Sequence, residues 1–174
     1  IMGHSITGVS STNNIHILLL IKGCFQLGIA PSDMPFFPML PVDFVAKVVT
    51  EVSGRQKFLN KVYHLANLQG TSLTQIFEWL IERGYNFRFL ATGDWKKEVL
   101  ARITADNPFF PLMPLYLAEE GQEISKKISH EDDKIATNNF ESFLLLSALE
   151  IPYLNKEHFM RYFDFLDSWL RETS

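Results

Sequence analysis

The residues best suited to chemistry lie in a short polar loop near the start of the chain. His4, Ser5 and Thr7 stand close together, and Asn13 follows in the same polar stretch. An imidazole, two hydroxyls and an amide can all form hydrogen bonds. Such a loop either satisfies its own backbone or lines a ligand site at the carboxyl end of a strand. Because His4 is flanked by glycine and hydroxyl residues, it is the histidine best placed to orient a ligand.

Several catalytic signatures are missing from the sequence. The nine glycines form no Gly-x-Gly-x-x-Gly fingerprint, and no tyrosine is followed four residues later by lysine. There is no His-Glu-x-x-His zinc motif, no Walker loop and no serine in a strand-to-helix elbow. The sequence therefore predicts no catalytic residue and no metal ligand within this chain.

Composition narrows the class of protein. A chain of 174 residues with 47% apolar and 21% charged residues is typical of one globular domain. The net charge of −4 and the absence of a long basic run argue against a nucleic-acid partner. The longest apolar run, Ile15 to Ile21, is far shorter than the ~20 residues of a membrane span. Cys24 is the only cysteine, so no internal disulfide forms, and we expect a buried thiol in a cytoplasmic protein.

One segment is expected to position the polar loop. Pro41 favours an extended backbone that turns into a helix, and Asp43 can accept hydrogen bonds from the first helical turn. Phe44, Val45 and Val48 then recur at helical spacing. We expect this helix start and the His4 loop to lie on the same side of the fold, near its largest cleft.

The remaining pattern predicts a chain rich in helices with a few short strands. Ile1 to Gly3 is expected to end a strand, and Lys61 to Ala66 to form another. The first expected helix is 15–27, capped by Thr12 or Asn13 and stopped by Gly28, and the second starts at Leu73, is capped by Ser72 and stops at Gly84. Trp95, Val99, Leu100 and Ile103 predict a third helix, capped by Thr92 or Asp94. The last two are 138–149 and a closing helix capped by Asn155. Glu119 to Asp133 is charged and expected to be solvated.

The segment from Asn107 to Leu117 is apolar but contains three prolines. Prolines at this spacing exclude a long regular helix or an interior strand. The segment is therefore either an irregular lobe packed on the core or a mobile apolar lid over a cleft.

Several blocks of the sequence resemble the carboxyl-terminal part of thioester reductase domains. Such domains release products from nonribosomal peptide and polyketide synthetases, and related domains occur in carboxylic acid reductases. The blocks that carry the resemblance are Ile1-Met2-Gly3-His4-Ser5-Ile6-Thr7-Gly8, Asn13-Asn14, Leu20 to Gly28, Pro41-Val42-Asp43-Phe44-Val45, Tyr63-His64-Leu65-Ala66-Asn67, Gly84-Tyr85, Trp95, Ile151-Pro152, Tyr162 and Leu166. The order and spacing of these blocks agree with the family, and together the blocks extend over nearly the whole chain.

The resemblance implies the extended short-chain dehydrogenase/reductase fold, of the α/β class. In isolation the chain would be α+β, a mostly helical substrate-binding subdomain with a few short strands. Residues 1–174 would form this single subdomain, in which 1–66 completes the Rossmann-proximal part and 67–174 forms a mainly helical lobe. An upstream Rossmann half of the same protein would bind NADPH and supply the Ser/Thr, Tyr and Lys that reduce the thioester. The chain would then be a piece of a longer protein, with no tight NADPH binding of its own.

The resemblance also assigns site residues. Gly3 and His4 would lie beside the nicotinamide, and the substrate would contact Ser5, Thr7, Asn13, Phe109 and Phe110. The substrate would be an acyl or peptidyl thioester on the phosphopantetheine arm of a carrier protein, released as an aldehyde or alcohol. Two alternatives stay open: the matching half of a fatty acyl reductase or sugar epimerase, and a non-catalytic acyl- or protein-binding module.

Overall fold

The computed structural model describes residues 1–12, 15–34, 37–67, 70–117 and 137–171. Asn13 and the charged stretch 119–133 lie outside these ranges. The elements in chain order are α1 (His16–Leu27), β1 (Ile29–Pro31), α2 (Val42–Gly54), α3 (Leu73–Glu82), β2 (Arg88–Leu90), α4 (Thr92–Arg102), α5 (Met113–Leu117), α6 (Asn138–Ser147) and α7 (Lys156–Arg171). Two 3₁₀ turns, Gln56–Phe58 and Phe110–Leu112, connect them.

The strands β1 and β2 form a small parallel sheet. Ile29 pairs with Arg88, and Pro31 pairs with Leu90. A separate parallel bridge joins Met2 to Pro41, so the first residues of the chain run in extended geometry beside the start of α2. The predicted mixed α/β class, mostly helical with a few short strands, is confirmed. Within the described ranges, no helix is both long and apolar enough to cross a membrane.

Helix α1 lies at the centre of the main core because apolar side chains cover most of its faces. Gly28 ends it with a φ of +69°, as its position in the sequence predicts. The helix begins after Ile15 without a side-chain cap, so the predicted cap by Thr12 is wrong. The buried residues packed around α1 come mainly from α3, α4 and α7 and include Ile76, Phe77, Leu80, Trp95, Phe159, Tyr162 and Phe163.

A second, smaller core holds α2 against α6. Phe44 and Val48 of α2 pack with Phe140 and Phe143 of α6 and with Phe58 of the first 3₁₀ turn. Aromatic rings meet edge to face here, with the Phe58 and Phe143 centroids 4.9 Å apart. Each core draws side chains from both 1–66 and 67–174, so the boundary at residue 66 stays a prediction.

Two local predictions are wrong. Residues 61–66 form no strand; their backbone is irregular, and the Val62 carbonyl accepts a hydrogen bond from the Asn139 side chain. The alternation instead places Tyr63 and Leu65 against the second core. The predicted cap of α4 by Thr92 or Asp94 is wrong, because the helix starts at Thr92 after the N-cap residue Ala91. The sequence pattern also does not predict strand β1, because two of its three residues belong to a proline-containing stretch that favours a loop.

The proline-rich segment packs on the main core. Phe109 is fully buried, and its ring lies 5.6 Å from the Trp95 ring and 5.4 Å from the Tyr116 ring, centroid to centroid. Gly23 of α1 permits this approach, because a Cβ there would lie 2.4 Å from the Cβ of Phe109. The first alternative, a lobe packed on the core, therefore describes the segment through Phe109.

Candidate functional site

Residues 3–10 form the loop that we call the His4 loop. The amide of His4 donates to the carbonyl of Val9, and the amide of Gly8 donates to the carbonyl of His4, both at 2.9 Å. Gly8 has a φ of +72°, a conformation that glycine adopts without strain. The loop is therefore a tight turn that satisfies part of its own backbone.

Asp43, at the start of α2, anchors the His4 loop. Its Oδ1 accepts from the amide of Ser5 at 2.8 Å, and its Oδ2 accepts from the Ser5 hydroxyl at 2.7 Å. The N-cap residue of α2 is Pro41, which supplies no side-chain cap, so Asp43 lies within the first helical turn and not at the N-cap position. The carboxylate instead joins the helix to a loop that is distant in sequence.

The electrostatics of Asp43 fit this role. Burial disfavours the charged carboxylate, but the two hydrogen bonds from Ser5 outweigh burial and lower the pKa of Asp43. Asp43 is therefore a carboxylate at neutral pH and accepts both hydrogen bonds from Ser5.

Helix α7 holds the loop from the other side. The Tyr162 hydroxyl donates to the carbonyl of Gly3 at 3.2 Å, and Nη1 of Arg161 donates to the carbonyl of Ser5 at 3.2 Å. Burial raises the pKa of Tyr162, so its phenol keeps the proton that it donates. Gly8 lies against α7, because a Cβ at this position would be 2.2 Å from the carbonyl oxygen of Arg161.

The imidazole of His4 faces its own loop with one nitrogen. Nδ1 lies 3.2 Å from the amide nitrogen of Ile6 and 3.4 Å from that of Thr7, and it accepts from both. His4 also lines a surface groove of about 700 Å³, together with Val42, Asp43, Ala46, Lys47 and Leu149. This groove is the larger of two described pockets. The expected proximity of the His4 loop and the start of α2 is therefore confirmed, and both border this groove; that the groove is the largest cleft of the fold stays a prediction.

The second pocket, of about 330 Å³, lies beside the second core. Asn67, Thr137, Phe140, Glu141 and Tyr153 line it. The hydroxyl of Thr137 donates to the carboxylate of Glu141. An aromatic wall beside a carboxylate and an amide gives this pocket a mixed apolar and polar character.

The structure brings together only some of the residues expected at the site. Gly3, His4 and Ser5 meet beside Asp43, and Thr7 is exposed in the same loop. Their roles toward cofactor and substrate stay predictions.

The other expected site residues lie elsewhere. Asn13 lies outside the described residues. Phe109 is in the main core, and Phe110 is 42% exposed. Neither phenylalanine is among the described residues that line the groove.

Three residues that position the loop are not predicted as site residues by the sequence. Asp43 has the pattern of a helix cap, and Tyr162 has the pattern of a residue on the buried face of α7. No sequence pattern points to Arg161, because its contact with Ser5 joins residues separated by 156 positions. Hydrogen bonds between such distant residues leave no periodic pattern in a single sequence.

The chain is similar in sequence to an aminoadipate reductase and to a subunit of a peptide synthase. It is 26% identical over 163 residues to the L-2-aminoadipate reductase large subunit of Eremothecium gossypii, a match that covers 87% of this chain and 12% of that protein. It is 23% identical over 164 residues to a linear gramicidin synthase subunit of Brevibacillus parabrevis, covering 94% of this chain and 3% of that protein. The chain thus spans a small part of either relative. No protein-family model matches the chain.

Solved structures share the fold over almost the whole chain. The terminal R domain of the myxalamid PKS-NRPS biosynthetic pathway matches with a TM-score of 0.75 and 22% identity, covering 97% of this chain and 42% of that domain. A thiolation-reductase di-domain from an archaeal non-ribosomal peptide synthetase matches with a TM-score of 0.74 and 18% identity, covering 97% of this chain and 34% of that structure. In sequence and in fold, this chain is therefore similar to the carboxyl-terminal part of a thioester reductase domain.

Proposed function

We propose that this chain is the substrate-holding part of an NADPH-dependent thioester reductase. In the intact protein, an upstream nucleotide-binding half would deliver hydride to the carbonyl carbon of an acyl or peptidyl thioester. The product would be an aldehyde, or an alcohol after a second reduction. The observation that carries the proposal is the His4 loop, held between α2 and α7 at the edge of an open groove.

The groove has the mixed surface that such a substrate needs. Val42, Ala46 and Leu149 offer apolar contact for an acyl chain, whereas His4 and Lys47 offer polar groups. Hydride transfer requires the acyl carbon to be held against the nicotinamide with water excluded. A loop anchored from two helices keeps its polar groups in place without reorganisation, which favours such positioning.

The described residues offer a contact for the nicotinamide end of a dinucleotide but none for its phosphates. The imidazole of His4 borders the groove and could donate a hydrogen bond to a nicotinamide carboxamide. At Gly3 the space of the missing Cβ is filled by the Ser10 hydroxyl at 2.4 Å, which leaves the backbone of Gly3 as the part that would face a cofactor. The sequence has no glycine-rich phosphate fingerprint, so the phosphates of NADPH would be bound by the upstream half. The bound cofactor would supply the hydride.

The partner would be a carrier protein that presents the thioester on a phosphopantetheine arm. One of the similar solved structures is a di-domain that joins a thiolation domain to a reductase domain. We extend this arrangement to the present chain and expect the protein to act in the cytoplasm.

The test uses the intact parent protein, purified with its own carrier domain loaded with an acyl thioester. NADPH oxidation is followed by absorbance, and the released product is identified by mass spectrometry. A matched control is the parent protein from which residues 1–174 have been removed. We expect aldehyde or alcohol only from the intact protein.

Release of the free acid, or no release at all, would contradict the reductase assignment. Acyl-carrier binding without reduction would favour the non-catalytic acyl-binding module. Reduction by the shortened protein at the full rate would show that this chain does not hold the substrate.

A further inference from the structure

His4 uses its two ring nitrogens for different purposes. Nδ1 accepts from the backbone amides of Ile6 and Thr7, so it carries no proton in this arrangement. In a neutral imidazole, one nitrogen accepts while the other bears the proton. The loop therefore fixes the tautomer in which Nε2 is the donor.

His4 itself forms part of the groove wall, where a ligand would meet it. The side of the ring that bears Nδ1 is turned toward the loop backbone, and the residue forms part of the groove wall. Asp43, the neighbouring carboxylate, already accepts two hydrogen bonds from Ser5. Nε2 is thus the ring nitrogen that the loop backbone does not engage.

We propose that His4 is a ligand-binding residue whose Nε2–H donates a hydrogen bond to a carbonyl oxygen in the groove. The inference rests on the proposed function for the identity of that oxygen. It belongs either to the acyl thioester or to the carboxamide of the nicotinamide. A hydrogen-bond donor that carries no net charge suits a neutral carbonyl in both cases.

Two substitutions test the acceptor role of Nδ1 and the donor role of Nε2 separately. In His4→Asn, the side-chain carbonyl can replace Nδ1 as acceptor for Ile6 and Thr7, but the donor at the position of Nε2 is lost. In His4→Gln, the longer amide places an N–H near the position of Nε2. The matched control is His64→Gln, which changes an exposed histidine that does not line the groove.

Binding is measured by fluorescence titration of the intact parent protein with four probes. The first pair is a carrier-linked acyl amide, which keeps the carbonyl oxygen, and a carrier-linked thioether, which lacks it. The second pair is NADPH and 2′,5′-ADP, which lacks the nicotinamide. Because none of these probes is turned over in the titrations, the readout is affinity and does not depend on activity.

We expect His4→Asn to lower the affinity for one carbonyl-bearing probe about tenfold, which is the effect of one lost hydrogen bond. Its partner that lacks the carbonyl should bind as before. Loss confined to the acyl amide assigns the contact to the substrate, and loss confined to NADPH assigns it to the nicotinamide. His4→Gln and His64→Gln should bind every probe within about threefold of the unchanged protein.

The inference is overturned if His4→Asn binds both carbonyl-bearing probes as tightly as the unchanged protein. It is also overturned if His4→Gln loses as much affinity as His4→Asn, because the restored donor would then have no value. These results leave the reductase proposal intact when the unchanged protein still reduces thioesters. If the unchanged protein binds none of the four probes, both proposals fail.

Discussion

At the scale of single residues, Gly8 controls how closely the His4 loop approaches α7. Its φ of +72° lies in the left-handed region, and an added Cβ would lie 2.2 Å from the carbonyl oxygen of Arg161. Gly28 has nearly the same φ, +69°, but nothing lies within 4 Å of the position of its missing Cβ. Substitutions at the two glycines therefore separate the cost of left-handed backbone strain from the cost of a steric collision.

We expect Gly8→Ala to lower the free energy of unfolding by about 2–4 kcal/mol, from left-handed strain plus overpacking against backbone. Gly28→Ala should cost only about 1 kcal/mol, from the strain alone. Urea denaturation of the two variants measures the difference. Equal losses would show that the loop does not press against α7 in solution.

Ionisation of Asp43 should give the His4 loop a dependence on pH. The folded pKa of Asp43 is lowered by the hydrogen bonds from Ser5, although burial acts in the opposite direction. An unfolded aspartate has a pKa of about 3.9. The stabilisation is therefore fully present above about pH 4 and is lost as the pH falls through the lower, folded pKa.

We expect Asp43→Asn to reduce the free energy of unfolding by about 1 kcal/mol at pH 7, because one oxygen acceptor and the charge are lost at a half-buried site. The deficit should disappear in acid, where the native carboxylate is itself protonated. Denaturation from pH 7 to pH 2 measures this convergence. Asp94→Asn, at an exposed ion pair with Lys97, serves as the control; a deficit that stays constant as the pH falls would contradict the account.

The sequence predicts which polar groups the His4 loop offers better than it predicts which distant residues hold the loop in place. His4, Ser5 and Thr7 are recognisable because polar residues crowd a turn-forming stretch. Asp43 and Tyr162 are not recognisable as anchors, because their partners lie 38 and 159 positions away. A local signal reports what a segment offers, whereas the partner of each group is decided by tertiary packing.

At the scale of elements, the start of α4 is capped by a residue from another segment. Asp33, just after β1, accepts from the amide of Thr92 at 2.8 Å and from its hydroxyl at 2.5 Å. These bonds take the place of a local cap, since α4 has no cap from its own N-cap residue, Ala91. The hydrogen bond from the Thr92 side chain is the main cause of the lowered pKa of Asp33.

We expect Asp33→Ala to lower the free energy of unfolding by about 1 kcal/mol, the usual cost of a lost cap. Asp33→Asn should retain about half of the effect, because an amide oxygen still accepts. Thermal unfolding monitored by circular dichroism measures both. Asp106→Ala, at an exposed position beyond α4, is the control; the account would be wrong if Asp33→Ala had no larger effect than this control.

Elements with complete local signals are predicted well. The Ser72 hydroxyl accepts from the amide of Gln75, and the side-chain Oδ1 of Asn155 accepts from the amide of His158, as their cap positions indicate. Residues 61–66 show the opposite case, because a strand needs a neighbour and the described residues offer them none. Strand β1 forms because β2 pairs with it, although its own sequence favours a loop.

At the scale of the whole molecule, the two cores should differ in stability. The second core contains six buried apolar residues, whereas the main core contains far more. Small clusters bury less apolar surface and open at lower free energy. We therefore expect the pair of helices α2 and α6 to open before α1 and α3.

Phe143→Ala should raise hydrogen exchange in α2 and α6 while leaving α1 and α3 protected, because it removes a ring that packs on Phe58 and Tyr63. Phe77→Ala, in the main core, should raise exchange throughout the described chain. We expect Phe143→Ala to lose about 3–5 kcal/mol of local stability and Phe77→Ala to lose a similar amount of global stability. Exchange measured by mass spectrometry separates the patterns, and identical patterns would argue for a single cooperative core.

The whole-molecule prediction that matters most is that the groove beside the His4 loop holds the acyl group. Photo-crosslinking of the intact parent protein tests it directly, with a diazirine-bearing acyl chain loaded on the carrier domain. We predict that peptides containing the His4 loop, the start of α2 and Leu149 take up the label, and that unlabelled acyl-carrier competes. Label found only on the upstream half, or only on surfaces of this chain remote from the groove, would contradict the account.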